Sequence, residues 1–508
     1  MENRQGNQAM ISESSSQALF RIKNKTRLFL LGGLLAFAAG CSTSQGGTGK
    51  LESPALHLQA SVDPRTLAFA PLEFQLPKSE RLQLKNGMIV YLLQDQELPI
   101  VNVTAYLNAG SIYDPADKVG LAALTGATLR SGGTSKSSPD ELDRELEFMA
   151  SSIESDINAD HANVSLSTLT RNLERTLALF AQVLAEPAFD PGRVALARQH
   201  AIEGIRRQND DPKAIASREL NRAIYAGHPL GGIPTLATVN AISRDDMISF
   251  QRRYFYPANT VLAVSGDFDR EKLLASLETL FAGWKNHPAD FPEVPAPKED
   301  LRAEVLHVQK EVNQSVIRMG HLGIDKNNPD LHAIKVMDYI LGGGFTSRLT
   351  REIRSNQGLA YNVDSYFETG RRFRGPFIAE TETKSETTVR AINLLRSIIA
   401  GMTTAEVSEV ELKLAKDAII NSFIFGFARS DVVVNQQARL EFYGYPAGYL
   451  ENYRDNIARV TRQDVLRVAR KYLHPDAMRL VVVGDRRKFD KPLSEFGSVR
   501  EIKLNDIN

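Results

Sequence analysis

Apolar and polar positions along the chain alternate in some stretches with the two-residue period of a strand and in others with the 3.6-residue period of a helix. Residues 81–91 (RLQLKNGMIVY) predict two strands joined by an Asn-Gly turn, and residues 101–110 alternate like a third strand. Residues 140–151 and 171–184 have apolar positions at helical spacing. Long helices interspersed with antiparallel strands predict an α+β fold.

One stretch of the chain occurs twice. A Ser-capped helix that starts at residue 243 (SRDDMISFQRRYF), followed by TVLAVSGD, returns 218 positions later as TRQDVLRVARKYL from residue 461, followed by MRLVVVGD. A period this long indicates a duplicated domain rather than a solenoid. We therefore predict an N-terminal domain over residues 64–286, a proline-rich linker over 287–303 and a C-terminal domain over 304–508.

Composition narrows the class of protein. A chain of 508 residues is too long for one ordinary core, so two or more domains are expected. Lys+Arg and Asp+Glu both total 61, and this balance gives no support for a nucleic-acid partner. The single cysteine can form neither an internal disulfide nor a thiolate zinc site.

The amino-terminal stretch is typical of an export signal. Basic residues precede a short apolar run over residues 28–39, and small residues lead directly into Cys41, which resembles a bacterial lipobox. We predict a lipoprotein signal peptide over residues 1–41, a lipid anchor on Cys41 and a flexible tether over 42–63. Because Ser42 follows the cysteine, the resemblance implies the outer membrane, with the protein facing the periplasm. The alternative is an uncleaved signal anchor with an incidental cysteine.

A series of short motifs carries a family resemblance. The motifs are Asn-Ala-Gly-Ser at 108–111, Gly-Leu-Ala at 120–122, Gly-Gly-Thr at 132–134, Gln-Asn-Asp-Asp-Pro at 208–212 and Gly-His-Pro-Leu-Gly at 227–231. Their order resembles the pitrilysin/insulinase zinc peptidases, the inverzincins, over about residues 76 to 490. The resemblance implies two homologous α+β halves arranged as a clamshell, which the internal repeat supports independently.

Active members of that family carry H-x-x-E-H just after the Gly-Leu-Ala. Its two histidines ligate zinc from one helix face, and its glutamate acts as general base. Here the corresponding positions are Ala123, Gly126 and Ala127. None of these side chains can bind zinc or move a proton, so we expect no catalytic residue, metal ligand or cofactor in this chain.

The family's third zinc ligand is a glutamate that directly precedes an isoleucine. In this sequence Gly204 precedes Ile205, and Glu203 lies one residue away. A one-residue slip would place Glu203 at the ligand position, although one carboxylate alone makes no zinc site. The nine histidines include no H-x-x-x-H pair, and His200 with Glu203 is interpreted as an incidental pair on an exposed helix face.

The second half retains a different signature of the family. Leu-Gly-Gly-Gly-Phe at 341–345 is followed by Arg-Glu-Ile-Arg and then by Gln-Gly-Leu-Ala-Tyr. The resemblance implies that Arg354 and Tyr361 contact the peptide backbone of a substrate. The structural alternative is an ion pair of Arg354 with Glu352 and a strand-core position for Tyr361. The glycines either admit a partner's backbone or form a helix-end turn.

The two halves therefore differ, since the zinc half is erased and the arginine/tyrosine half is kept. Some members of the family divide these parts between two chains. The resemblance implies a non-catalytic, substrate-contacting subunit of a heterodimer that acts on peptides or unfolded proteins in the cell envelope, with zinc in the partner peptidase subunit. The rival hypothesis is a structural or peptide-binding scaffold of the same fold. Weak peptidase activity of the chain itself ranks last, because it would require metal ligands that the sequence does not identify.

Overall fold

The first half of the protein is built on a six-stranded sheet. The computed structural model describes residues 74–504. The strands of the first half follow the order β1-β2-β6-β3-β5-β4, and they are β1 Glu80–Gln83, β2 Ile89–Gln94, β3 Ile100–Leu107, β4 Ser152–Ile157, β5 Ala162–Leu169 and β6 Thr260–Gly266. β1 and β2 pair antiparallel around the Asn-Gly turn, which confirms the predicted hairpin. The central strand β6 is buried along its whole length.

The described residues of the first half include eight α-helices, which connect or follow the strands of this sheet. They are α1 Leu121–Leu129, α2 Pro139–Phe148, α3 Leu173–Ala185, α4 Pro191–Arg207, α5 Pro212–Ile224, α6 Leu236–Ala241, α7 Arg244–Tyr254 and α8 Arg270–Leu280. Several begin at a polar cap; Ser138 accepts from the backbone of Glu141, whose carboxylate accepts in return from Ser138. α2 and α3 confirm the helices predicted over 140–151 and 171–184.

The second half repeats the arrangement with a second sheet. Its strand order is β12-β7-β11-β8-β10-β9, and the strands are β7 Glu304–Gln309, β8 Gln314–Leu322, β9 Val363–Phe367, β10 Pro376–Lys384, β11 Arg479–Gly484 and β12 Val499–Glu501. Its helices are α9 Leu331–Asp338, α10 Thr388–Thr404, α11 Glu409–Phe425, α12 Ser430–Phe442, α13 Tyr453–Arg459 and α14 Arg462–Tyr472. Two π-helical turns, Tyr339–Gly343 and Thr350–Asn356, interrupt the helical region after α9.

The two sheets have the same topology. β2 runs parallel to β6 as β7 does to β11, and the remaining three pairings of each five-strand unit are antiparallel in both halves. The repeated helices α7 and α14 each begin with a Ser or Thr capping box. Only the edge strand differs, since β1 is antiparallel to β2 whereas β12 is parallel to β7. The predicted fold class, two homologous α+β halves in a clamshell arrangement, is confirmed.

One helix of each half crosses to the other half. α5 buries Ile215 and Leu220 against strand residues of the second sheet such as Val481. In return, α12 buries Val434 and Ala438 against the first sheet. Because these faces are apolar and fully covered, the exchange joins the two sheets into a single packed body.

The predicted signal peptide, Cys41 and the tether over 42–63 lie outside the described residues. Within residues 74–504, no helix is both long enough and apolar enough to cross a membrane.

Candidate functional site

The helix that corresponds to the zinc motif is α1. Ala123 and Ala127 lie one helical turn apart on its exposed face, whereas Gly126, which adjoins them around the helix, is buried. The side chains of Leu121, Leu124 and Thr125 turn inward and fix the helix on the core. The two positions at which the family carries histidines therefore face outward together, as ligand positions must.

These two alanines line a cavity of about 610 Å³ between α1 and α4. Gly204 of α4 lines the same cavity, so all three ligand positions of the family meet around one space. The rest of the lining is mostly apolar and includes Leu124, Leu196, Ala197, Ala201, Ile205 and Val239. At the place where the resemblance implies a metal in active relatives, this chain has an apolar hollow.

Glu203 does not take the place of the missing ligand. Its carboxylate accepts a hydrogen bond from Arg207 at 2.7 Å on the exposed face of α4, and it is not among the described residues that line the cavity. The one-residue slip considered from the sequence is therefore not seen. Among residues 74–504, no group of three or more His, Cys, Asp or Glu side chains could bind a metal ion.

Gly126 occupies the position of the general base, and the structure leaves no room there. A Cβ atom on Gly126 would lie 2.6 Å from the backbone nitrogen of Ile157 and 3.0 Å from the carbonyl carbon of Asp156. The hydroxyl of Ser155 donates to the carbonyl of Gly126 at 2.7 Å, which ties α1 to the edge strand β4. α1 and β4 are packed so closely at Gly126 that the space a glutamate side chain would need is filled.

Arg354 and Tyr361 lie together on the second half. Arg354 belongs to the second π-helical turn, and Tyr361 stands two residues before the edge strand β9. Between them, Gly358 has a φ of +59°, a conformation that favours glycine, and the chain reverses there. This turn brings the guanidinium and the phenol ring into contact.

The Arg354 guanidinium is held between two exposed aromatic rings. Its central carbon lies 5.1 Å from the ring centre of Phe345 and 4.7 Å from that of Tyr361. Phe345 is 76% exposed and Tyr361 is 85% exposed. Each such contact is worth about 0.5–1 kcal/mol at a solvated site, so the rings orient the cation without neutralising it.

Arg354 does not pair with Glu352, and Tyr361 does not lie in a strand core, so the structural alternative for these two residues is not observed. The carboxylate of Glu352 accepts hydrogen bonds from the side-chain amides of Asn356 and Gln357, at 2.8 and 2.9 Å, instead of pairing with Arg354. Within the described part of the chain, Arg354 has no carboxylate partner at all. Tyr361 lies outside the strand core, and the hydrogen-bonding capacity of both groups is free for a ligand.

The glycine run at 342–344 serves internal packing. A Cβ atom on Gly342 would lie 2.3 Å from the backbone nitrogen of Ser365 in β9, and one on Gly344 would collide with the ring of Tyr339. Of the two interpretations made from the sequence, the structure therefore shows the close turn at a helix end. This turn presents Phe345 to solvent beside Arg354.

A buried carboxyl, that of Asp338, directly precedes the first π-helical turn, and no sequence pattern indicates it. Asp338, at the end of α9, accepts the backbone N–H of Phe367 at 3.3 Å, and burial raises its pKa to about 8. Lys335, one turn earlier, has its pKa lowered by the same burial. A charged residue in a helical pattern is ordinarily interpreted as solvent-exposed, so only the three-dimensional packing reveals this group.

Two family models match the chain. The model described as "Insulinase (Peptidase family M16)" matches residues 89–238, and the model described as "Peptidase M16 inactive domain" matches residues 241–419. Both describe parts of one family, and together they include β2 to β6 of the first sheet, the positions of the missing zinc motif and the Arg354 region. These matches agree with the resemblance inferred from the sequence motifs.

Individual relatives show the same likeness. An "Uncharacterized zinc protease" of Rickettsia felis is 22% identical over 396 residues, which cover 77% of this chain and 93% of that protein. A "Non-peptidase homolog YmxG" of Helicobacter pylori is 22% identical over 389 residues, 76% of this chain and 88% of that protein. The crystal structure of a peptidase M16 inactive domain from Pseudomonas fluorescens superposes with a TM-score of 0.73 at 27% identity, covering 80% of this chain and 98% of that one.

Proposed function

Because the chain belongs to the insulinase (M16) peptidase family and lacks the family's zinc motif, we propose that it is the non-catalytic, substrate-contacting subunit of a heterodimeric zinc metallopeptidase. The observation that carries the proposal is Arg354, an accessible guanidinium held between two aromatic rings and left without a carboxylate partner in the described residues. A cation kept in this state is suited to an external acceptor such as a peptide carbonyl.

Each residue of the pair has a distinct chemical part. The guanidinium of Arg354 offers a planar fork of N–H donors that can hold a peptide carbonyl in one orientation. The hydroxyl of Tyr361 can donate to the oxygen on which negative charge develops during attack on the scissile bond. Tyr361 is exposed and Arg354 is half-buried beside it, so both groups can reach a peptide that is bound partly by another chain.

The remaining parts belong to the partner. No cofactor is assigned to this chain, and the three positions that bind zinc in active relatives are Ala123, Ala127 and Gly204. Zinc held by a peptidase subunit of the same family supplies a Lewis acid for the carbonyl and activates water. The substrates we propose are peptides or unfolded proteins, and the location is the cell envelope, with a lipid on Cys41 holding the complex to the outer membrane on its periplasmic side.

The test uses the complex of this chain with the zinc-bearing relative that co-purifies with it. Arg354→Ala should lower peptide cleavage by about 10- to 100-fold, since hydrogen bonds to charged groups are worth about 1.5–3 kcal/mol. Arg354→Lys should recover part of the loss, because it keeps the charge without the fork. Tyr361→Phe keeps the ring on Arg354 and removes only the hydroxyl donor.

The control is Arg396→Ala, an arginine of α10 that pairs with Asp476 and the ring of Phe496 away from this site. It should leave cleavage unchanged. Size-exclusion chromatography should show an intact complex for every variant. Full activity of Arg354→Ala would refute the contact role, and isolation of the chain in an assembly without a peptidase subunit would favour the scaffold hypothesis.

A further inference from the structure

We propose that an apolar pocket beside Arg354 binds one apolar side chain of the peptide that Arg354 holds, and so selects substrates with a leucine-, methionine- or phenylalanine-like residue there. The inference rests on the proposed function, because it assigns a neighbouring subsite to the same peptide. We call this space the Phe345 pocket, and it is lined chiefly by Tyr339, Ile340, Phe345, Val410, Leu414 and Ala415.

The Phe345 pocket is concave and large enough for a side chain. It encloses about 360 Å³ between the first π-helical turn and the start of α11. This volume lies at the lower end of the range of about 300–1,000 Å³ that is usual for ligand sites. Its floor is made of carbon atoms from Ile340 and Ala415, both of which are buried. An apolar group that entered would replace water against these surfaces.

The rim of the pocket is unusually apolar for a solvent-facing surface. Phe345 is 76% exposed, Val410 is 67% exposed and Leu414 is 50% exposed. A single exposed apolar side chain needs no explanation, but three that converge on one hollow mark a binding surface. Covering them removes apolar area from water, which favours an apolar occupant over a polar one.

Continuity with the Arg354 site identifies the occupant as part of a peptide. Phe345 has two roles, since its ring lines the pocket and also lies 5.1 Å from the Arg354 guanidinium. A peptide whose carbonyl reaches Arg354 therefore passes directly over the mouth of the pocket. Successive residues of an extended peptide rise only about 3.3 Å, so a neighbouring side chain reaches the hollow.

Charges at the rim disfavour a basic side chain. Glu411 is the pocket's carboxylate, and the fork of Arg348 binds it at 2.8 and 3.0 Å. Hydrogen bonds from Arg348 hold the pKa of Glu411 well below its ordinary value, at about 2, so it stays ionised and paired. Arg351 approaches the same carboxylate at 3.8 Å. With Arg354 unpaired nearby, the rim carries an excess of positive charge, which repels Lys and Arg.

The cavity in the first half does not have these features. Leu196 and Ala197 lie 218 positions before Leu414 and Ala415 and line the erased zinc cavity in the same way. The arginine that lines it, Arg193, forms ion pairs with Asp140 and Asp143. Of the two related hollows, the one in the second half alone adjoins a cation that is free to hold a peptide.

The experiment measures binding of fluorescent peptides by anisotropy, with the full chain alone and with its co-purified partner. Three peptides differ at one position, which carries Leu, Ser or Lys. The Leu peptide should bind at least about tenfold more tightly than the Ser peptide, as expected for burial of one aliphatic side chain. The Lys peptide should bind no better than the Ser peptide.

Leu414→Lys and Val410→Lys should each abolish the preference for the Leu peptide and leave the Ser peptide nearly unaffected. The matched control is Phe425→Lys, which changes an apolar residue that is 71% exposed at the far end of the same helix, and it should preserve the preference. Equal binding of the Leu and Ser peptides to the unaltered protein would overturn the proposal. The proposal would also be overturned if Leu414→Lys or Val410→Lys prevented assembly with the partner while the preference for the Leu peptide persisted. The surface would then be a subunit interface.

Arg354→Ala separates this inference from the proposed function. If it weakens all three peptides equally and the native chain shows no preference for Leu, the Arg354 contact stands and the pocket assignment falls. If it changes no affinity while the preference for Leu remains, the pocket stands and the role of Arg354 falls.

Discussion

Two glycine-to-alanine substitutions should change stability in opposite directions. Gly126 and Gly204 both lie within helices on either side of the erased zinc cavity. At Gly204 a Cβ atom would meet nothing within 4 Å, whereas at Gly126 it would lie 2.6 Å from the backbone nitrogen of Ile157. The same chemical change is therefore made once into open space and once into packed backbone.

The magnitude follows from two opposing effects. Alanine is favoured over glycine inside a helix by about 0.8–1.0 kcal/mol, and this gain applies at both positions. Overpacking a closed site costs about 1–3 kcal/mol and applies only at Gly126, because backbone cannot move aside as a flexible side chain can. Gly204→Ala should stabilise by up to about 1 kcal/mol. Gly126→Ala should be less stable than Gly204→Ala by about 1–3 kcal/mol.

Thermal unfolding of the two variants and the native chain, followed by circular dichroism, measures the difference directly. We expect the midpoint of Gly204→Ala at or above that of the native chain and the midpoint of Gly126→Ala below both. A Gly126→Ala variant as stable as Gly204→Ala would refute the reasoning. It would mean that α1 and β4 can separate easily, and that a glutamate could be accommodated at position 126.

Three further predictions concern metal, pH and location. A triple variant with Ala123→His, Ala127→His and Gly204→Glu should bind about one equivalent of zinc, as measured by metal analysis. It should still cleave no peptide, because Gly126 supplies no general base. The double variant without Gly204→Glu should bind zinc at least about tenfold more weakly. In the folded protein the pKa of Asp338 is raised to about 8, so between pH 4 and 8 the folded state keeps a proton that the unfolded state loses. The free energy of unfolding should therefore fall by up to about 1.4 kcal/mol per pH unit as the pH rises through this range. Asp338→Asn should remove this fall. Cys41→Ala should move the protein from the membrane fraction to the soluble fraction.

The fold class could be predicted because its signals are local and are repeated along the chain. The helices at 244–254 and 462–472 have the same length and the same type of cap, so the duplication was visible without any contact information. The exchange of α5 and α12 could not be predicted in this way. The apolar face of α5, with Ile215 and Leu220, has the same periodicity whichever sheet it covers, and nothing in the pattern says which sheet that is.

The candidate site could be located only in part. Motif spacing placed Ala123 and Ala127 on one helix face, but the closure of β4 on Gly126 depends on a contact between residues about thirty positions apart. Phe345 went unrecognised for a related reason. Phe345 lies between two π-helical turns, the second of which contains Arg354, and a pattern based on 3.6 residues per turn does not predict their geometry.

The exchanged helices give a physical reason for a chain that keeps an entire half without its catalytic groups. α5 belongs to the first half, yet it covers the face of the second sheet that includes Leu306, Val316 and Val481. Without the first half these strand residues would face water, and each fully buried aliphatic side chain contributes about 1.5–3 kcal/mol. The sheet whose edge strand β9 follows Tyr361 therefore depends on packing against the half that lacks the zinc motif. We therefore expect the first half to be needed for the folding of the second, although residues 74–504 contain no group of side chains that could bind a metal ion.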